Sequence, residues 1–130
     1  NGPSIVFYPF YNAKFNFDID KDNRKEIVFT VEESGGGNAS WNTIYCLKEK
    51  NNGELNLVKL NYSCPFKKPY SCGDNPRPDL IDTDNNNLII NLGCFKSGDA
   101  ACCPSLSYDV TFKYDKGKLV PINKKRIYDN

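Results

Sequence analysis

Four acidic side chains, Asp18, Asp20, Asp22 and Glu26, stand at relative positions 1, 3, 5 and 9 of one short segment, Asp18-Ile19-Asp20-Lys21-Asp22-Asn23-Arg24-Lys25-Glu26. Carboxylates on alternate residues of a tight loop converge on one hard cation. Ca²⁺ takes about six to eight oxygens at about 2.3–2.6 Å, and a backbone carbonyl at the seventh position, here Arg24, helps complete such a set. The expected ligands are therefore Asp18, Asp20, Asp22, Glu26 and the carbonyl of Arg24, with Ca²⁺ as the ion. An EF-hand loop needs Gly at its sixth position and Glu at its twelfth. Asn23 and Phe29 stand there instead, so the segment is not an EF-hand. The competing reading is a metal-free turn, because Asp and Asn hydrogen-bond their own backbone and tolerate left-handed geometry. Lys21 and Lys25 reduce the local negative charge and point to weak affinity.

Apolar residues flank the loop, with Phe15 and Phe17 before it and Ile27, Val28, Phe29 and Val31 after it. The acidic segment is thus expected to join two strands, Lys14–Ile19 and Glu26–Glu32. The same alternation continues along the chain. Ile5–Tyr11 is aromatic and β-prone, and Pro9 restricts it to an edge or a bend. Ser34–Asn38 reads as a flexible break, followed by a strand over Ser40–Lys48. Asn52-Gly53 marks a hairpin turn into Leu55–Tyr62. Ser63–Pro78 is a proline- and cysteine-rich loop. Leu80-Ile81 is a short strand, Asp82–Asn87 a polar turn, and Asn87–Phe95 alternates strongly. Leu106–Tyr114 and Lys118–Ile122 close the pattern around Asp115-Lys116-Gly117, and the basic tail from Asn123 has room for one helical turn. No longer window shows a helical period. The fold class is mainly β, with antiparallel hairpins forming one curved sheet or a small sandwich, loops stapled by disulfides and little helix. At 130 residues, the whole chain, 1–130, is expected to be a single domain.

Six cysteines and no histidine narrow the chemistry further. An even count in a small chain favours disulfides and an oxidising compartment. A zinc site is disfavoured by the lack of any CxxC pair or His. Cys64 and Cys72 bracket a short proline-punctuated loop and make the natural local pair. Neighbours seldom bond each other, so Cys102 and Cys103 are expected to seek other partners: Cys94 with Cys102 across a short loop, leaving Cys46 with Cys103. Triads built on His are excluded. Ser34–Asn38 lacks the Lys and the following helix of a phosphate-binding loop. Tyr8, Phe10 and Tyr11 suit either a core or a face for sugars or peptides. Asn38-Ala39-Ser40 and Asn61-Tyr62-Ser63 match the glycosylation acceptor pattern. The formal charge of +1 gives no electrostatic reason to invoke nucleic acid or a membrane surface. No apolar run reaches the ~20 residues of a transmembrane helix. The opening Asn1-Gly2-Pro3-Ser4 has no Met, no basic n-region and no apolar h-region, and any signal peptide is expected to have been removed already.

Two resemblances follow. Asp18-x-Asp20-x-Asp22-x-x-x-Glu26-Ile27-Val28 resembles the Ca²⁺ loop of FG-GAP/VCBS-type repeats, whose usual form is D-x-D-G-D-G-x-x-D/E before an apolar strand. The likeness implies Asp18, Asp20, Asp22 and Glu26 as ligands, with Lys21 and Asn23 where that pattern has glycine. Residues 15–122 are similar in order to uncharacterised bacterial exported proteins and lipoproteins of the LppP/LprE group. The likeness rests on the acidic loop, Ser34–Asn38, Cys102-Cys103-Pro104-Ser105 and Tyr114-Asp115-Lys116-Gly117-Lys118-Leu119-Val120. It implies a secreted, periplasmic or outer-envelope location, with a lipid anchor upstream as an option, and no assigned activity. The expected function is binding within the cell envelope, with an envelope protein or a glycan as partner. The alternatives are a carboxylate-dependent enzyme acting on a glycan and a purely structural or adhesive module.

Overall fold

The computed structural model describes residues 15–36 and 39–127. The expected strand at Ile5–Tyr11, the aromatics Tyr8, Phe10 and Tyr11, and the acceptor Asn38 lie outside these. The described residues form a single strongly curled sheet of nine strands and contain no helix. In chain order these are β1 (Phe15–Phe17), β2 (Glu26–Gly36), β3 (Ala39–Glu49), β4 (Leu55–Tyr62), β5 (Tyr70–Ser71), β6 (Asp79–Asp84), β7 (Asn87–Lys96), β8 (Leu106–Asp115) and β9 (Lys118–Ile127). Across the sheet they run β1-β2-β3-β4-β9-β8-β7-β5, with β6 also on β7. β6 also lies against β1 and β2, so the two ends of the sheet approach each other. Among the described residues, no helix is long and apolar enough to cross a membrane.

Turn chemistry sets the hairpins. Asn85 and Asn86 both take positive φ, 51° and 63°, and join β6 to β7 in a two-residue turn. Lys116 and Gly117, at 51° and 85°, do the same between β8 and β9. This is the handedness that matches the twist of the flanking strands. At the β3–β4 turn, Gly53 N–H donates to Lys50 O at 2.9 Å, and Asn52 Oδ1 accepts from Glu54 N–H at 3.0 Å.

Alternation then sorts the side chains. Leu88, Ile90 and Leu92 of β7 and Val110 and Phe112 of β8 point inward and are at most 1 % exposed. They meet Val28, Ile44, Leu60, Leu80 and Leu119 in one core. Tyr62 packs edge-on against the Phe112 ring, with centroids 5.8 Å apart.

The expected antiparallel hairpins in one curved sheet are present, and one pairing joins them in parallel, β4 with β9 at Asn61↔Lys118 and Tyr62↔Leu119. Several sequence expectations are corrected. Ser34–Gly36 is the end of β2 rather than a flexible break, because its backbone pairs with β3 through a register shift. Asp82–Asp84 belongs to β6, and the basic segment after Ile122 continues β9 along β8 as far as Ile127, so no helical turn forms there.

The cysteines divide differently as well. Cys64–Cys72 is bonded as expected. Cys94–Cys102 and Cys46–Cys103 are not formed: Cys102 bonds its neighbour Cys103, and Cys46 and Cys94 are buried free thiols. The physical reason is strand geometry. Cys46 and Cys94 point into the core from β3 and β7, whereas Cys102 and Cys103 lie in an exposed turn between β7 and β8.

Candidate metal centre

The acidic segment makes the β1–β2 connection, and its own backbone shapes it. Asp18 accepts N–H bonds from Asp22 at 3.0 Å and Asn23 at 2.8 Å. Asp22 accepts the Arg24 N–H at 2.9 Å. Lys21 and Asn23 take positive φ, 59° and 68°. Glycine usually fills such positions; in the FG-GAP/VCBS pattern these two are glycines. The Arg24 guanidinium donates to Glu49 O at 3.2 Å and ties the loop to the end of β3.

One oxygen each from Asp18, Asp20, Asp22 and Glu26 lies within 4.8 Å of the other three. The structure therefore brings together all four sequence-predicted carboxylates. Arg24 occupies its expected place in the loop, held there by its side chain and its N–H. Glu26 is only 1 % exposed. Its Oε1 accepts the Asp20 N–H at the long distance of 3.5 Å. Its Oε2 and the Oδ1 of Asp20 are buried without a hydrogen-bond partner. Buried carboxylate oxygens left bare are costly and call for a proton or a cation.

Lys48, on β3, is the residue that sequence reasoning missed. Its ammonium pairs with Asp20 and lies 3.5 Å from Asp22 Oδ2. Lys21 and Lys25 are exposed. The signal for Lys48 was present: in Ile44-Tyr45-Cys46-Leu47-Lys48, alternation puts the lysine on the same face as the buried Ile44 and Cys46. A lysine on a core face needs an acidic partner.

The electrostatics separate the two inner carboxyls. Burial, reinforced by the neighbouring Asp20, pushes Glu26 up to about 7. For Asp20 burial acts upward too, but hydrogen bonds from Lys48 and Glu26 outweigh it and hold the group at about 2. The Asp20 pairing in turn raises the Lys48 ammonium well above its ordinary value. Burial, with the nearby carboxylates, pushes the Cys46 thiol to about 12, so it stays protonated and is no soft ligand. The donor set is all oxygen, which suits Ca²⁺ or Mg²⁺ and not Zn²⁺.

A pH dependence follows for the metal-free protein. A carboxyl whose pKa is raised on folding contributes stability that is complete below its unfolded value and lost as pH rises through the folded one. For Glu26 that window runs from about pH 4.5 to 7. Asp20 has the opposite sign and acts only below about pH 4. In chelator, stability should fall by about 1–3 kcal/mol between pH 5 and 8. Urea melts across that range check it, and Glu26→Gln should flatten the curve.

Comparison with protein-family models, with curated proteins and with solved structures finds no match.

Proposed function

We propose that this is a secreted or periplasmic cell-envelope domain that works by binding, with Ca²⁺ held at the loop 18–26. The reading rests on four carboxylates converging in one loop, two of their oxygens, Glu26 Oε2 and Asp20 Oδ1, being buried with no donor other than a proton that they can share. Ca²⁺ would satisfy both, with Asp18 and Asp22 completing the protein side. The two left-handed residues at Lys21 and Asn23 support the likeness to FG-GAP/VCBS loops. The Cys64–Cys72 bridge is consistent with an oxidising compartment.

Lys48 already supplies one positive charge to the cluster. Ca²⁺ must displace that ammonium, so affinity falls in the weak extracellular range of about 10⁻⁴–10⁻³ M. Catalysis is the less favoured reading. Carboxyls with pKa values pushed apart are the mark of an acid–base pair, but Glu26 is almost wholly enclosed, and a general acid must reach its substrate.

Thermal melts with Ca²⁺ test the reading. At ten to a hundred times Kd, ligand linkage is worth about 1.4–2.7 kcal/mol, which should raise Tm by about 4–10 °C. Mg²⁺ should do less, because it sheds water reluctantly. Glu26→Gln should abolish the response, and Lys48→Met should tighten Ca²⁺ roughly tenfold by removing the competing charge. No Ca²⁺ shift in either the wild type or Lys48→Met would mean that the loop does not hold Ca²⁺, with or without the competing ammonium.

A further inference from the structure

The sheet splits between β3 and β4. Their pairing runs from Glu49↔Leu55 to Ile44↔Leu60 and stops there. Beyond that point β3 stays with β2, while β4 turns away to meet β9. The wedge between them is a cavity of about 320 Å³, at the small end of the range for ligand sites. Its far end is fixed by the segment that precedes β6. Asn42 N–H donates to Pro76 O at 3.1 Å and Asn42 Nδ2 to Pro78 O at 3.3 Å. Arg77 Nη2 donates to Ser40 Oγ at 2.8 Å. The bonded Cys64 and Cys72 line its inner end.

The outer walls are Trp41 and Thr43 on β3 and Lys59 and Asn61 on β4. Trp41 is held in place. Glu33, opposite it on β2, accepts hydrogen bonds from Trp41 Nε1 at 2.9 Å, Thr43 Oγ1 at 2.6 Å and Tyr45 OH at 3.1 Å. Those donors, Thr43 first, hold the Glu33 carboxyl below the usual range. A partly exposed network of this kind adds little to folding, because water serves the same groups in the unfolded chain. Its effect is to fix the indole. A fixed indole beside an amide and an ammonium matches one sugar ring, which offers an apolar C–H face and a rim of hydroxyls. The Glu33 carboxylate behind Trp41 and Thr43 has both oxygens occupied by the Trp41, Thr43 and Tyr45 donors, so the site suits binding.

We infer that this cleft binds one pyranose unit of a glycan, stacked on Trp41 and hydrogen-bonded by Lys59 and Asn61. The inference rests on reading the domain as a binding module but not on its Ca²⁺ loop. Sugar and Ca²⁺ responses are therefore measured separately, and Glu26→Gln should leave sugar binding unchanged.

Trp41 is the chain's sole tryptophan, so its fluorescence reports the site directly. The intact protein is titrated with chitotriose, cellotriose, maltotriose and mannotriose to millimolar concentration. A saturable emission change with at least one of them is expected. Lys59→Ala and Asn61→Ala should each weaken it about tenfold, and Glu33→Gln should weaken it with the fold intact by circular dichroism. Trp41→Ala, followed by calorimetry, should bind none. No saturable change with any of the four sugars, or unaltered affinity in Trp41→Ala, would overturn the inference.

Discussion

Phe112→Ala is expected to cost about 3–5 kcal/mol of stability, the usual loss for deleting a fully buried aromatic ring. For a chain of this size the melting temperature should drop by about 10–20 °C. Phe112 is 0 % exposed on β8. It sits opposite Leu88 of β7 and Pro121 of β9 and takes the edge of Tyr62 from β4. One ring thus joins both sides of the parallel β4–β9 seam, the only parallel pairing among the described strands. Ile122→Ala, at a position 51 % exposed on the same hairpin, is the control and should change stability by no more than about 0.5 kcal/mol. A Phe112→Ala loss under about 1 kcal/mol would mean that the sheet does not close on this ring.

The second large effect separates the two disulfides. Chain-entropy arguments assign a bridge a value that grows with the loop it closes. Cys64–Cys72, at a sequence separation of 8, should be worth about 2.5 kcal/mol. Cys102–Cys103, at a separation of 1, closes no loop of chain and should be worth close to nothing by that route. Cys64→Ser/Cys72→Ser should therefore lower Tm by about 10 °C, whereas Cys102→Ser/Cys103→Ser should leave it nearly unchanged. Thiol counting supplies the companion check. Cys46 and Cys94 are buried, so the unreduced protein should react with a thiol reagent only after denaturation, and then at two sites. Equal losses from the two double variants, or no thiol after denaturation, would contradict this arrangement.

The features that were legible in the sequence are those governed by near neighbours. Period-two alternation in Leu88-Ile89-Ile90-Asn91-Leu92 and Tyr108-Asp109-Val110-Thr111-Phe112 gave the right strands and the right inward faces. Asn-Gly and Lys-Gly pairs marked real turns, and the alternate carboxylates of 18–26 do converge. Contacts between distant segments were not legible. The parallel seam at Tyr62↔Leu119 depends on how far the sheet curls, which no local pattern encodes. The extension of β9 through Asn123–Arg126 was hidden because those side chains are all exposed and show no alternation; the strand is held there by its backbone pairing with β8. Spacing shows which cysteines are near enough in sequence to meet, but the direction in which each strand points them decides the outcome. Lys48 lay in plain view as a charged residue on an apolar face. Its importance emerges only once the loop 18–26 folds back over the β3 strand.

A crystal structure determined in millimolar Ca²⁺ decides whether the loop 18–26 is a metal site. An ion bound by Asp18, Asp20, Asp22 and Glu26 at about 2.3–2.6 Å is expected, with the Lys48 ammonium swung away from Asp20. The same cluster with no ion bound, and Lys48 still paired to Asp20, would contradict it.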